Sequence, residues 1–216
     1  MDISNQFIEI RKEFTFNNAH IVRNCSSDRC KYTAHAHTYR VEVFLKSDKL
    51  DNGYMAVDFG LLKGTMKSLI KMFDNTYSLW CRENQDYKDF VYKNFERVIE
   101  LPFSPSAEEY SIFFFKVLTW LIQNTKFNNG EGIVKISKII VHETKSGYSI
   151  ANDKSYINKH SLYDYLNNIQ VNFDNCEGRT ILQQLLESYN RRDEKIFKNE
   201  KPEQQIIEQN NRLLKL

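Results

Sequence analysis

Two stretches of alternating apolar and polar residues constrain the fold of this chain more than any other feature. They span residues 7–16 and 38–46, and a long polar loop separates them. The apolar residues that share one parity are Ile8, Ile10, Phe14 and Phe16 in the first stretch, and Tyr39, Val41, Val43 and Leu45 in the second. Alternation with a period of two is typical of a strand that buries one face. We therefore predict two half-buried antiparallel strands.

Three histidines lie at the loop ends of these two strands. His35 and His37 are two residues apart, so on a strand their imidazoles project from the same face. His20 follows the first strand, and pairing of the two strands would bring all three rings around one ion. Three nitrogen ligands with an open fourth position are typical of a catalytic zinc site.

The spacing alone leaves two alternatives open. Histidines on apolar faces are often core residues whose nitrogens are satisfied by hydrogen bonds. The loop also contains Cys25 and Cys30, and thiolates are good zinc ligands. A structural zinc site made of these cysteines and a histidine is therefore the second alternative.

Length and charge exclude several classes of protein. A chain of 216 residues predicts one domain, or one domain with an extension. A net charge of +2 argues against a nucleic-acid-binding surface, and no run approaches the roughly 18 apolar residues of a membrane span. The first residues, MDISNQFIEIRKEF, lack the pattern of a secretory signal, and four irregularly spaced cysteines do not predict a disulfide framework. We expect a cytoplasmic protein.

Capping signals and apolar spacing predict the helices. Asp58 is the expected N-cap of a helix that continues to about Phe73, and residues 82–100 are a second candidate. A third helix is expected after SPSAEEY, with Ser104 or Ser106 as its N-cap and Pro105 in its first turn. Residues 133–142 and 148–151 are predicted strands. Paired strands with helices grouped on one face indicate an α+β fold.

The character of the sequence changes after about residue 152. We predict a domain at residues 1–156 and a helical, charged C-terminal extension at residues 157–216. The extension contains one apolar-periodic helix candidate around Ile181, Leu182, Leu185 and Leu186, followed by a polar tail. Its composition is typical of a peripheral appendage and indicates no chemistry.

Five motifs in a fixed order carry a family resemblance. FTFNNAH, HAHTYRVEV, GYMAVDFGLLK, SPSAEE and VHET follow one another between about residues 7 and 151. Together they resemble the 6-pyruvoyl-tetrahydropterin synthase and 6-carboxytetrahydropterin synthase family. The resemblance implies the tunnelling fold, an antiparallel four-stranded sheet with helices packed on one face. It also implies a ring-shaped homo-oligomer, a trimer or hexamer, with sites between subunits.

The resemblance assigns roles to individual residues. His20, His35 and His37 match the family's zinc ligands, and the implied substrate is 7,8-dihydroneopterin triphosphate. The family's general base is a cysteine; we take Cys30 as its counterpart, with Cys25 as the alternative. Arg23, Arg29 and Lys31 are expected either to contact the triphosphate or to form a solvated loop face.

Four further residues match the family's carboxylate and helix-start positions. Glu143 matches the glutamate that anchors the pterin, where a carboxylate accepts parallel hydrogen bonds from the ring N3–H and the 2-amino group. Glu108 and Ser106 match a segment that approaches the ligand, or are plain capping residues. Asp74 matches the catalytic aspartate of an Asp-His pair, whereas Asp58 is expected to cap a helix.

Two departures affect proton transfer. The family's cysteine lies four residues before its H-G-H motif, where this chain has Lys31, and Cys30 is one residue further upstream. The relay histidine is Asn75, which does not titrate in the physiological range. His142 is a poor substitute, because neighbours on a strand face opposite ways and it precedes Glu143.

The resemblance therefore implies a zinc-dependent 6-carboxytetrahydropterin synthase. It would convert its substrate to 6-carboxy-5,6,7,8-tetrahydropterin and release acetaldehyde and triphosphate, on the route to queuosine-type nucleosides. One alternative is a 6-pyruvoyl-tetrahydropterin synthase, which eliminates triphosphate. The other, suggested by Asn75, is a homologue that binds pterin or zinc without turnover.

Overall fold

A seven-stranded sheet forms the centre of the protein. The computed structural model describes residues 7–154, 160–192 and 196–198. The strands are β1 (Ile8–His20), β2 (His35–Ser47), β3 (Thr76–Trp80), β4 (Val98–Leu101), β5 (Thr125–Lys126), β6 (Lys135–His142), β7 (Tyr148–Asn152), β8 (Gln170–Val171) and β9 (Phe197–Lys198). The large sheet has the order β7-β6-β2-β1-β3-β4-β8, and β5 pairs with β9.

The α+β class is confirmed, but the prediction of a four-stranded antiparallel sheet is wrong. The expected antiparallel part is β7-β6-β2-β1. Beyond β1 the sheet continues with β3 and β4, and the β1–β3 and β3–β4 pairs are parallel, so the sheet is mixed. β3 and β4 are short and almost wholly buried. Such strands lack the alternation that identifies a half-buried strand, so the sequence pattern does not reveal them.

The part of the chain that the structure describes contains seven short or medium α-helices. They are α1 (Asp28–Tyr32), α2 (Phe59–Leu61), α3 (Lys67–Lys71), α4 (Gln85–Asn94), α5 (Ala107–Gln123), α6 (Leu162–Asn168) and α7 (Glu177–Arg191). None of the helices in the described ranges is long and apolar enough to cross a membrane.

Two helix predictions need correction. A π-helical turn, Leu62–Met66, connects α2 and α3, and Gly64 within it has φ −86° and ψ −109°, so the predicted continuous helix is interrupted. Ser106 is the N-cap of α5, and its hydroxyl accepts a hydrogen bond from the Glu109 N–H at 3.3 Å. Pro105 therefore precedes the cap and does not lie in the first turn.

The inner face of the sheet, defined by Phe14, Phe16, Tyr39 and Val41, packs against helices α3 and α5. Phe16 and Tyr39 are fully buried and stack with ring centroids 4.9 Å apart. Burying side chains of this size stabilises the fold by roughly 1.5–3 kcal/mol each. This packing fixes the register of β1 and β2, on whose ends the histidines lie.

Part of the C-terminal segment packs into the same core. Tyr165 of α6 and Leu182 and Leu185 of α7 belong to the hydrophobic cluster under the sheet. At Gly178 of α7, a Cβ atom would lie 2.6 Å from the backbone oxygen of Ser68, so only glycine permits the observed approach to α3. The described helices are thus not peripheral. The predicted boundary at residue 156 and the charged tail after residue 198 lie outside the described residues.

Candidate metal centre

The structure brings His20, His35 and His37 together at one end of the β1–β2 pair. His20 is directly opposite His35 in the antiparallel register, and Asn18 is opposite His37. The Nε2 atoms of His20 and His35 are 3.1 Å apart. One potential ligand atom from each of the three residues lies within 4.8 Å of the other two. The predicted strand pairing therefore creates a cluster that could hold a metal ion.

Hydrogen bonds orient two of the three imidazoles. Nδ1 of His35 lies 2.9 Å from the Thr33 carbonyl oxygen, which can only accept, so Nδ1 carries the proton and Nε2 keeps a lone pair. Nδ1 of His20 lies 3.3 Å from the Tyr39 hydroxyl, and the backbone of Pro105 also favours the protonated ring. Partners of this kind fix the tautomer of metal-binding histidines.

The environment of His20 and His37 favours their neutral forms. Burial, together with the charge that His35 can carry, lowers the pKa of His20 to about 4. Burial also lowers the pKa of His37, against the opposing effect of Glu143. Metal ions bind the neutral form of imidazole, so the depressed pKa values favour metal binding at neutral pH.

Glu143 lies beside the histidine cluster. It follows β6, and its backbone N–H donates to the Gly147 carbonyl at 3.2 Å. Its Oε1 atom is 3.9 Å from Nε2 of His20 and 3.8 Å from Nε2 of His37. Its side chain is 33% exposed, so the carboxylate is accessible to a ligand. The structure thus places the expected pterin anchor next to the candidate metal ligands.

Tyr39 contacts two residues of the candidate site, although the sequence interpretation assigned it only to the apolar face of β2. Its buried hydroxyl donates to Oε1 of Glu143 at 3.1 Å and faces His20. Burial, with contributions from Tyr110 and Glu143, raises the pKa of Tyr39 well above its usual range, so the phenol is protonated. A signal was present, because Tyr39 shares the parity of His35 and His37, and a buried phenol needs a polar partner.

Glu108 and Ser106 lie at the start of α5, near the cluster. Glu108 is exposed, and its charge contributes to the raised pKa of Tyr39, after the effects of burial, Tyr110 and Glu143. Ser106 caps the helix. A contact of either residue with a ligand stays a prediction.

Asp74 is outside the histidine cluster. Its Oδ1 accepts a hydrogen bond from the Asn17 N–H at 2.7 Å, and its Oδ2 accepts one from Lys71 at 2.9 Å. Although burial raises the pKa of Asp74, these hydrogen bonds hold it below its usual range, so the group is a carboxylate. Asn75 follows in the left-handed region, with φ 53°, and its N–H donates to the Asn17 carbonyl at 2.7 Å. Both residues lie where β3 begins to pair with β1.

The loop cysteines are also outside the cluster. Cys30 lies in α1, and the Cys25 thiol donates to the Ser27 carbonyl at 3.2 Å. Within the described ranges, the group of ligand atoms that could hold a metal contains histidine nitrogens and no sulfur. The alternative zinc site built on Cys25 and Cys30 is therefore not formed in this structure, and the role of Cys30 as base stays a prediction.

The basic loop residues differ in their surroundings. Arg23 is held by Glu83 at 2.8 Å and by the Lys31 carbonyl at 2.8 Å, whereas Arg29 is exposed.

His142 lies on the outer face of the sheet. It hydrogen-bonds to Glu42 at 2.6 Å and lies 3.0 Å from Arg40, and these two residues of β2 alternate with the residues whose side chains point to the inner face. It therefore faces away from the cluster, as its position before Glu143 predicts.

A groove of about 690 Å³ connects part of the cluster to Asn75. Its lining includes His35, Ala36, Asn75, Tyr77 and Arg97. The volume is in the range of small-molecule binding sites. The groove therefore offers room for a ligand that contacts both His35 and Asn75.

Comparisons with known proteins identify the family of this chain. The sequence model of the family described as 6-pyruvoyl tetrahydropterin synthase matches residues 9–154. The 6-carboxy-5,6,7,8-tetrahydropterin synthases of two Helicobacter pylori strains are each 40% identical over 151 residues, which cover 70% of this chain and 76% of theirs. The Aquifex aeolicus enzyme of the same name is 29% identical over 119 residues, or 51% of this chain and 68% of its own.

A solved structure supports the fold. An uncharacterised protein from Wolinella succinogenes superposes with a TM-score of 0.55 at 18% identity, over 69% of this chain and 100% of that one. At that identity the likeness concerns the fold alone. On the family match and the 40% identity to curated relatives, the chain belongs to the 6-pyruvoyl tetrahydropterin synthase family.

Proposed function

We propose that this protein is a zinc-dependent 6-carboxytetrahydropterin synthase. It would convert 7,8-dihydroneopterin triphosphate to 6-carboxy-5,6,7,8-tetrahydropterin, with release of acetaldehyde and triphosphate, in the synthesis of queuosine-type nucleosides. The observation that carries the proposal is the position of Glu143, 3.8–3.9 Å from two nitrogens of the three-histidine cluster. The names of the Helicobacter pylori relatives favour this product over the pyruvoyl one.

The donor set fits zinc. Three imidazole nitrogens without a thiolate are the ligand set of a catalytic zinc, which keeps a fourth position open. Thr33 and Tyr39 supply the outer partners that such ligands usually have. Bound zinc would act as a Lewis acid towards the hydroxyl groups of the substrate side chain and ease proton removal from the adjacent carbons.

Glu143 is the proposed pterin anchor. Its carboxylate is held by the Tyr39 hydroxyl and remains partly exposed. In this position it would accept the N3–H and 2-amino hydrogen bonds of the pterin ring. The pterin ring would then lie beside the histidines, with Ser106 and Glu108 of the neighbouring helix start near it.

The edges of the sheet support the proposed ring. Among the described residues, the part of β1 before Asn17 pairs only with β2, and β7 pairs only with β6. The order β7-β6-β2-β1 is antiparallel throughout, so β7 of one copy would pair in antiparallel fashion with β1 of the next. Repeated head-to-tail pairing closes a ring, a trimer or a hexamer of two trimers.

The ring would also give Asp74 its proposed catalytic role. Asp74 lies at the end of the part of β1 that pairs only with β2. The turn that contains Glu143 connects β6 to β7 at the same end of the sheet. Head-to-tail pairing therefore brings Asp74 of one subunit towards the Glu143 turn of its neighbour. We propose that Cys30 and Asp74 move the protons of the reaction, in the reducing cytoplasmic setting that four free thiols suit.

One observation favours a second candidate function. Asn75 replaces the expected relay histidine, and its backbone adopts the left-handed conformation that asparagine tolerates well. A homologue that binds pterin without turnover would account for the replacement.

Product analysis tests the proposal. The purified protein is incubated with zinc and 7,8-dihydroneopterin triphosphate, and the products are identified by mass spectrometry, with His35→Ala as the inactive control. Acetaldehyde with a carboxypterin is the expected result, and a pyruvoyl product would overturn it in favour of the pyruvoyl synthase. Tight binding of unchanged substrate would establish the non-catalytic alternative.

A further inference from the structure

A buried tyrosine connects the candidate metal site to the candidate pterin anchor. The Tyr39 hydroxyl lies 3.3 Å from Nδ1 of His20 and 3.1 Å from Oε1 of Glu143. Tyr39 itself is fully buried and stacked on Phe16, so its ring has little freedom to move. This hydroxyl, whose position is fixed by the packing of the ring, therefore contacts both a candidate metal ligand, His20, and the candidate pterin anchor, Glu143.

The single proton of the phenol determines the direction of both hydrogen bonds. A carboxylate can only accept, so Tyr39 donates to Glu143. The phenol oxygen then accepts a hydrogen bond from Nδ1–H of His20. The backbone of Pro105 also interacts with the His20 ring. This arrangement leaves the Nε2 lone pair of His20 facing His35 and His37.

We propose that Tyr39 is a positioning residue that orients His20 for the metal and Glu143 for the pterin. The inference rests on the proposed function, because it assumes that these two residues bind those two ligands. The new element is that the Tyr39 hydroxyl supports both the affinity for zinc and the affinity for the pterin. Removing this hydroxyl leaves Glu143 without its fixed donor and His20 with one acceptor fewer.

The chain offers a matched control for the loss of a buried hydroxyl. Tyr110 is also fully buried, and its ring centroid lies 5.3 Å from that of Tyr39. Its hydroxyl hydrogen-bonds to Ser78 at 2.7 Å and Asn18 at 3.1 Å, neither of which is a predicted ligand. Tyr110→Phe therefore disturbs the same core without touching either binding function.

The experiment measures zinc affinity by competition with a coloured chelator, and the affinity for 7,8-dihydroneopterin by fluorescence titration of the zinc-loaded protein. Tyr39→Phe should weaken zinc binding about tenfold or more, as is usual for the loss of an outer partner of a metal ligand. It should weaken pterin binding by about tenfold, the effect of losing one hydrogen bond to a charged group. Tyr110→Phe should change both affinities less than about twofold.

The double variant separates positioning from general loosening. In a Glu143→Gln background, Tyr39→Phe should have little further effect on pterin affinity, because the hydroxyl acts through Glu143. Fully additive effects, or wild-type affinity for either ligand in Tyr39→Phe, would overturn the inference. A wild-type protein that binds neither zinc nor pterin would instead overturn the proposed function, and the inference with it.

Discussion

Acid should destabilise the zinc-free protein through His20. Its ordinary pKa of 6.5 applies in the unfolded chain, and burial lowers the value to about 4 in the folded state. Between these two values the unfolded chain binds more protons than the folded one, so the free energy of unfolding falls as the pH falls. The difference between these two pKa values, at about 1.4 kcal/mol per pH unit, corresponds to about 3 kcal/mol of stability. This contribution is fully present above pH 6.5 and is lost by about pH 4.

Urea denaturation of the chelator-treated protein at several pH values between 4 and 7 measures this loss. His20→Asn supplies the comparison, because asparagine does not titrate in this range, and the stability of this variant should fall by about 3 kcal/mol less than that of the wild type. His37, whose pKa burial also lowers, adds to the acid sensitivity of both proteins. Parallel pH profiles for the two proteins would refute the assignment of a depressed pKa to a buried neutral His20.

Three other predictions follow from the geometry. His35→Ala should lose most bound zinc while His142→Ala, on the outer face, keeps it; equal zinc content by metal analysis would contradict the assignment. Asn75→His should raise initial rates about tenfold or more, at a cost below about 1 kcal/mol because histidine also tolerates the left-handed region; an unchanged rate would show that the relay is not limiting. Gly178→Ala should lower the free energy of unfolding by about 1–3 kcal/mol, because its Cβ would overlap the Ser68 backbone, whereas the exposed Gln183→Ala should change it by less than about 0.5 kcal/mol. Equal stability of these two helix α7 variants in urea would refute the close approach to α3.

The features that the sequence could predict are those with a local signal. Alternation identified β1 and β2, and the two-residue spacing of His35 and His37 placed both on one face. The register in which the two strands pair then places His20 opposite His35. The candidate metal cluster is thus a direct consequence of strand geometry.

The features that the sequence did not predict depend on tertiary contacts. β3 and β4 are buried on both faces, so they show no alternation. The interruption at Gly64 and the contact of Gly178 with Ser68 leave no periodic trace in the sequence. The role of the Tyr39 hydroxyl was missed for another reason. The aromatic ring satisfies the apolar pattern, and although a buried phenol needs a polar partner, only the fold shows that this partner is Glu143.

Zinc-edge X-ray absorption of the purified, zinc-loaded protein tests the central claim most directly. The account predicts nitrogen scatterers at about 2.0–2.1 Å with the outer-shell pattern of several imidazoles, and no sulfur at about 2.3 Å. The same spectrum for His35→Ala should lose imidazole scattering or show no bound zinc. A sulfur shell in the wild-type spectrum would place zinc on the loop cysteines and contradict the three-histidine site beside Glu143.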